Sequence, residues 1–121
     1  MKAIEVGTRL VELFNAGNWE PIYAELYSPE IVSIEADGME SKGMEGINAK
    51  NEWWAENFEA HSLKATGPFP HGDNLFAVVY DMDTTHKPSG QRSQMQEVGV
   101  YELQDGKIVR ERFCYAPEEG A

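Results

Sequence analysis

Apolar residues recur every three to four positions in the front part of the chain and every second position in the remainder, so the change of period divides it into helices followed by strands. Between Ala3 and Asn15, the residues Val6, Leu10, Leu13 and Phe14 fall on one side of a helix. Asn15-Ala16-Gly17 ends it, because Asn and Gly tolerate the left-handed cap conformation. A second, short helix is predicted from Trp19 to Tyr27, with Asn18 as its N-cap, Pro21 in its first turn, and Trp19, Tyr23, Leu26 and Tyr27 facing inward. Ser28-Pro29 stops that helix, Ile31 to Glu35 reads as a short strand, and Asp37-Gly38 is the turn that follows. The third helix is predicted from about Met44 to Glu59, where Ile47, Asn51, Trp54 and Phe58 share a face on which Asn51 is the one polar member.

From His61 onward the alternation predicts a meander of four antiparallel strands, approximately His61 to Phe69, Asn74 to His86, Arg92 to Gln104 and Lys107 to Ala116. The turns between them are Pro70-His71-Gly72-Asp73, Lys87-Pro88-Ser89-Gly90 and Asp105-Gly106, the last a strong hairpin signal. Helices followed by strands imply an α+β fold, three N-terminal helices packed on one face of a curved antiparallel sheet. No internal repeat or linker interrupts the order, and 121 residues at 41% hydrophobic suit one domain over 1–121.

Alternation also sorts side chains by face. Phe76, Val78, Tyr80 and Met82 point inward, and so do Met95, Glu97, Gly99, Tyr101 and Leu103 on the next strand. Ala77, Val79, Val98 and Val100 then sit at the middle of an outer face, with Gln94, Gln96, Glu102, Arg110, Arg112 and Cys114 around them. Such a face, apolar at its centre and ringed by both charge signs, suits an isologous homodimer through Ala77, Val79, Val98, Val100, Arg110 and Arg112.

The inward set defines a candidate cavity. Tyr23, Tyr27, Asn51, Trp54 and Phe58 come from the helices; Phe76, Tyr80, Met82, Met95, Tyr101, Phe113 and Tyr115 come from the strands. Aromatic walls with a few polar tips suit a small hydrophobic molecule, held by stacking and oriented by one or two hydrogen bonds. Glu97 is the candidate acid or base, since a carboxyl facing an apolar cone is poorly solvated when charged and its pKa rises. Glu111 shares the inward phase and is a second carboxyl candidate, although its alternation with Arg110 and Arg112 equally suits a solvated edge. Glu35 and Asp37 are placed near the mouth with a surface role. His86 is in phase with the inward residues of its strand and is a catalytic candidate, although it borders a turn; His61 and His71 read as surface groups. Asp81, Asp83 and His86 do not make a metal site, because the aspartates share one strand face and the histidine lies on the other.

Two motif groups carry a family resemblance. Leu10 to Glu35 with its Asn15-Ala16-Gly17-Asn18 turn, followed by Lys42-Gly43, resembles the front of SnoaL-like and ketosteroid-isomerase-like proteins of the nuclear transport factor 2-like superfamily. Gly72-Asp73-Asn74-Leu75-Phe76-Ala77-Val78-Val79, the Thr85-His86 to Gly90 turn and Asp105-Gly106-Lys107-Ile108-Val109 resemble the back. The resemblance implies a cone of the cystatin-like roll type, a habit of homodimerising, and chemistry that runs without a cofactor. It fixes no reaction, because the fold carries isomerases, cyclases, dehydratases and non-catalytic proteins alike. Against the ketosteroid isomerases, that family's first-helix tyrosine falls at Leu10, its base at Ile34, its third-helix tyrosine at Asn51 and its oxyanion-hole acid at Gly99. None of these positions keeps the group, so the isomerase mechanism does not carry over.

Charge and cysteine content narrow the partners. A net charge of −11 with scattered Lys and Arg excludes nucleic acid and anionic membranes. The start, Met1-Lys2-Ala3-Ile4-Glu5, is broken by charge too early for a signal-peptide core, and a cytoplasmic protein is expected. Cys114 is the one cysteine and is expected to be a small buried hydrophobe, while Glu118-Glu119 reads as a frayed tail. Two functions fit these observations: a pocket protein for a small hydrophobic, carbonyl-containing metabolite, or a cofactor-independent isomerase, cyclase or lyase using Glu97. They are separated by whether two or more ionisable groups converge in the cavity.

Overall fold

The computed structural model describes residues 1–115; the proposed strand end at Ala116 and the Glu118-Glu119 tail lie outside the described residues. Helix α1 (Ala3–Asn15) leads into a single turn, α2 (Trp19–Pro21), widened into a π-helical turn over Ile22–Leu26. Strand β1 (Tyr27–Ile34) and a short β2 (Glu40–Lys42) precede α3 (Gly43–Asn57). Strands β3 (Phe58–His71), β4 (Leu75–His86), β5 (Gln91–Gln104) and β6 (Lys107–Cys114) complete a six-stranded sheet in the order β2-β1-β6-β5-β4-β3. Every neighbouring pair is antiparallel except β1 and β6, which run parallel.

Three departures from the periodicity have local causes. Tyr27 opens β1 instead of closing the second helix, because Ser28 precedes a proline and takes extended geometry, and Tyr27 pairs with Ile108. Phe58 is the first residue of β3 instead of the last turn of α3: its backbone is extended and it pairs with His86. The β2 edge strand went unpredicted because Glu40-Ser41-Lys42 has no apolar alternation. Asn18 precedes α2 as expected, but its side chain makes no capping bond.

Helix α1 seals one end of the cone. Ala3, Val6, Leu10 and Leu13 are buried against Phe76, Val78 and Ile108, and Glu5 accepts the backbone N–H of Lys2 at 3.0 Å, satisfying an orphan donor of the first turn. At the other end Asn15 mimics a strand partner: its amide donates to the Ala65 carbonyl at 3.0 Å and accepts the Ala65 N–H at 2.8 Å. Gly7 is where helix and sheet come closest.

The inward phase of β4 and β5 agrees with the alternation, since Phe76, Val78, Tyr80, Tyr101 and Leu103 are all buried. Strand β6 carries a bulge: Leu103 pairs with Ile108 and Glu102 with Arg110, leaving Val109 as an extra residue. Ile108 and Glu111 therefore both face the interior, and Arg110 and Arg112 both face outward. Cys114 follows the arginines onto the outer face and is exposed, correcting the expectation of a buried hydrophobe. No helix is long and apolar enough to cross a membrane among the described residues.

A methyl added at Gly7 would sit 2.5 Å from the Cβ of Pro68 and 3.0 Å from the Phe76 ring. Alanine's better helix propensity recovers about 1 kcal/mol, and forcing the helix off the sheet costs about 1–3 kcal/mol, so the clash decides the sign. Gly7→Ala is therefore expected to lower stability by up to about 2 kcal/mol. A raised urea midpoint would show that α1 is not seated on β3 and β4 as described.

Candidate functional site

The second helical turn, α3 and the inner face of β4 to β6 enclose a cavity of about 470 Å³. Its walls are mostly apolar: Leu10 and Phe14 from α1, Trp19 and Tyr23 from the second helical segment, Trp54 from α3, and Leu63, Met82 and Phe113 from the sheet. Aromatic contacts fix these walls. Phe14 lies 5.0 Å from Tyr80 and 5.8 Å from Trp19, and Tyr23 meets Tyr27 edge-on at 5.0 Å.

Polar groups gather at the floor. One row of the sheet places Phe76, Tyr101, Glu111 and Ser33 side by side on β4, β5, β6 and β1, and a second row on the same face, beyond Val78 and Gly99, pairs Tyr80 with Glu97. Glu111 is 3% exposed, and its Oε2 accepts the hydroxyl of buried Tyr27. Burial raises its pKa, and Lys50 and the hydroxyls of Tyr27 and Ser33 only partly oppose that rise. Tyr80 and Tyr101 share a hydroxyl–hydroxyl hydrogen bond and, like Tyr27, are held neutral by burial. The Tyr23 phenol is likewise pushed up to about 12, by burial first and the charge of Glu111 second, despite a hydrogen bond to Asn51.

Glu97 differs from Glu111. It lines the cavity and makes no side-chain hydrogen bond among the described residues. Its carboxyl is pushed up from 4.5 to about 7, by desolvation first and by repulsion from Glu35 second, with Lys50 pulling the other way. A carboxyl titrating near neutrality, with its oxygens uncommitted, can either give or take a proton.

Lys50 reaches the floor from α3. Its ammonium is ion-paired with Glu35, donates to the Ser33 hydroxyl at 2.9 Å and lies 4.4 Å from the centre of the Phe113 ring. Lys50 was absent from the sequence-derived set, although its position is helical: it stands three residues after Ile47 and four before Trp54, on the stripe that faces the sheet. Leu10, Phe14 and Trp19 also line the cavity from predicted inward positions, and Leu63 lines it from β3.

Of the candidate residues, Tyr23, Tyr27, Asn51, Trp54, Tyr80, Met82, Glu97, Tyr101 and Phe113 lie around this cavity. Five others do not line it. Phe76 is buried beneath it, stacked on Tyr101 at 4.9 Å and covered by α1. Phe58, turned into β3, stacks on Trp54 at 5.6 Å and meets the His86 ring at 5.2 Å. His86 is drawn into the β4–β5 turn, its Nδ1 bonded to Ser89 Oγ at 2.8 Å. Met95 stands opposite Met82 on β5, half-buried and outside the lining, and Tyr115 lies past the end of β6 and is 37% exposed. Glu35 and Asp37 also separate: Glu35 pairs with Lys50, while Asp37 accepts the Met39 N–H at 2.9 Å in its turn.

A glycine at position 99 has a purpose here, since a Cβ would come within 2.9 Å of the Tyr101 hydroxyl. The missing side chain makes room for that phenol. Asp83 is tied by both nitrogens of an Arg92 fork at 2.9 Å, and Asp81 by Gln96 at 3.0 Å, so both aspartates are engaged on the outer face away from His86.

With this cone and floor, the match to known proteins is extensive. The family model of the SnoaL-like domain matches residues 1–115. The chain belongs to the SnoaL-like family. Among solved structures, a protein of Mesorhizobium loti provisionally named a SnoaL-like polyketide cyclase is 35% identical, with a TM-score of 0.89 over 95% of this chain and 100% of that one. A nuclear transport factor 2-like protein of Burkholderia thailandensis superposes with a TM-score of 0.82 at 13% identity, over 96% of this chain and 92% of its own. A Catenulispora acidiphila protein with a ketosteroid isomerase-like fold, in complex with trimethylamine, gives 0.73 at 14% identity, over 93% and 85%. The last two share the fold alone. No functionally curated protein matches this SnoaL-like chain.

The raised carboxyl makes stability depend on pH. Folded Glu97 keeps its proton where the unfolded chain has released it, so its contribution is fully present below 4.5 and is lost as the pH rises through about 7. Glu97→Gln, uncharged throughout, is expected to melt with wild type at about pH 4 and to be more stable by about 1–3 kcal/mol at about pH 8. A difference that stays constant with pH would place Glu97 in bulk water.

Proposed function

We propose that this SnoaL-like protein binds a small, largely hydrophobic, carbonyl-containing metabolite and performs acid–base chemistry on it without a cofactor, with Glu97 as the proton carrier. The observation that supports this reading over binding alone is convergence: two desolvated carboxyls, Glu97 and Glu111, and one ammonium, Lys50, border the same apolar cavity, with the exposed Glu20 at its edge. A pocket built only to hold a hydrophobic molecule gains nothing from desolvated carboxyls, which are costly to bury. The two have different duties. Glu111, fixed by Tyr27 and fully enclosed, orients the tyrosine floor, whereas Glu97 has free oxygens and a pKa near 7. Transfer of a proton from the carbon beside a carbonyl to Glu97, and its return at another position, serves isomerisation, cyclisation and elimination alike. The name of the Mesorhizobium loti relative belongs to this class, since closing a polyketide ring joins an enolised carbon to a carbonyl.

Aromatic walls from Phe14, Trp19, Tyr23 and Trp54 would hold the hydrophobic body, and Asn51, bonded to Tyr23, would orient its polar end. His86, held in the turn by Ser89, is given no part in the proton transfer. A thermal-shift screen of small ketones followed by exchange of their α-protons in deuterated water tests the assignment. The wild type is expected to catalyse exchange of a stabilising ketone, and Glu97→Gln to slow it by roughly 10²–10⁴-fold while still binding. Exchange that survives Glu97→Gln would remove Glu97 from the mechanism, and its absence with every bound ketone would leave a binding protein.

The reading includes a homodimer formed through the outer sheet face and a cytoplasmic site of action, where the lone cysteine needs no oxidising surroundings. In support, Phe69, 53% exposed, stands in register with Ala77, Val100 and Arg112, and Val79 pairs with Val98 beside it. Arg110 and Glu102 flank this strip with opposite charges. Wild type is expected to sediment as a dimer at micromolar concentration and Val98→Arg as a folded monomer; a monomeric wild type would remove the dimer from the proposal.

A further inference from the structure

Enolate formation needs a partner for the oxygen as well as for the proton, and a cation meets a developing oxyanion better than a neutral phenol does. The Tyr27 hydroxyl is given to Glu111, one of the Tyr80 and Tyr101 hydroxyls donates to the other, and Tyr23 accepts from Asn51. Lys50 is different. An ammonium has three protons, and those of Lys50 meet the Glu35 carboxylate and the Ser33 hydroxyl, leaving one without an oxygen acceptor among the described residues. That nitrogen lies 4.4 Å from the centre of the Phe113 ring, a wall of the cavity. An aromatic face is a weak electrostatic partner, readily exchanged for an anionic oxygen. Lys50 is also the one cationic side chain among the described residues that line the cavity, and its charge acts on the carboxyl of Glu97, which lines the same cavity.

Resting on the proton-transfer reading above, we propose that Lys50 is the electrophilic catalytic residue of this site, donating its third ammonium proton as a hydrogen bond to the carbonyl oxygen of the ligand. Glu97 takes the α-proton, the C–H electron pair becomes the enolate π bond, and the negative charge that accumulates on oxygen meets Lys50. No electron is gained or lost overall, and return of the proton restores Glu97. Ser33 is a positioning residue that accepts one ammonium proton, while the Glu35 carboxylate, which holds a second, partly offsets the positive charge that the enolate meets. The favoured substrate is therefore a ketone or 1,3-dicarbonyl compound whose oxygen lies at the Lys50 side and whose acidic carbon lies at the Glu97 side.

4-Nitrophenol, whose ionised form is coloured, stands in for the enol and enolate. Its binding is followed by quenching of tryptophan fluorescence, and its ionised fraction by absorbance, at one fixed pH. Bound to wild type it is expected to be ionised more than in water. Lys50→Met is expected to lower the ratio of ionised to neutral ligand by roughly tenfold, as for loss of one charge-assisted hydrogen bond. Because Lys50→Met leaves Glu35 without its cation, the double variant Glu35→Gln/Lys50→Met is measured beside it and is expected to show a reduced ratio too, while Glu35→Gln alone raises it. Circular dichroism checks folding, and Glu35→Gln alone decides the matter if the lysine variants do not fold. A ligand that binds with the same ionised fraction in wild type and the double variant, or a Glu35→Gln that leaves the ratio unchanged or lowers it, overturns the role of Lys50 and leaves the pocket intact. Failure of 4-nitrophenol to bind wild type counts against the cavity itself and removes the Lys50 assignment with it.

Discussion

The strict alternation of side chains across β4, β5 and β6 is the constraint from which the rest of the molecule follows. A strand shifted by one residue turns its whole set of side chains to the other face, so the register decides at once what the cone contains and what the outer sheet presents. Phe76 beside Tyr101, Tyr101 beside Glu111 and Glu111 beside Ser33 form one such row, and Tyr80 beside Glu97 forms another. The Val109 bulge keeps that logic intact on β6. Were Val109 not bulged, strict alternation from Ile108 would bring Arg110 and Arg112 inside and turn Glu111 outward.

Placing carboxyls in this interior has an energetic cost that the fold meets in two ways. Glu111 is enclosed completely and given a tyrosine hydroxyl, a serine and a nearby ammonium, which is how buried polar groups are ordinarily accommodated. Glu97 makes no such hydrogen bond among the described residues, and its pKa is pushed up to about 7 instead. The contrast distinguishes a structural carboxyl from a reactive one more clearly than either residue does alone. The cone thus has an ionisable floor built from β5, β6 and α3. Gly99 contributes by absence, leaving the volume that the Tyr101 phenol occupies.

Much of this architecture was legible from the chain. Period 3.6 in Val6, Leu10 and Leu13 and period 2 in Phe76, Val78 and Tyr80 are direct consequences of helix and strand geometry, and both sets are buried. Where local signals competed, tertiary pairing won. Tyr27 carried a helical phase with Tyr23 but was drawn into the sheet by its pairing with Ile108 and by the proline after Ser28. Phe58 fitted the α3 stripe and was taken as the first rung of β3. His86 had the inward phase, but a serine three residues on captured its ring.

The sequence by itself determined the order of the elements other than β2, the faces of β4 and β5 and the inward direction of Glu97, because these depend on periodicity, which is local and unaffected by what the chain packs against. Only the tertiary structure decided that β1 runs parallel beside β6, that Glu111 is sealed beneath Tyr27, and that Lys50 crosses from a helix to share the floor with two carboxyls. Those facts join residues far apart in the chain, Tyr27 with Glu111 and Ser33 with Lys50, and a side chain's protonation is set by such neighbours and by the solvent they exclude. Spacing along a single strand or helix contains neither.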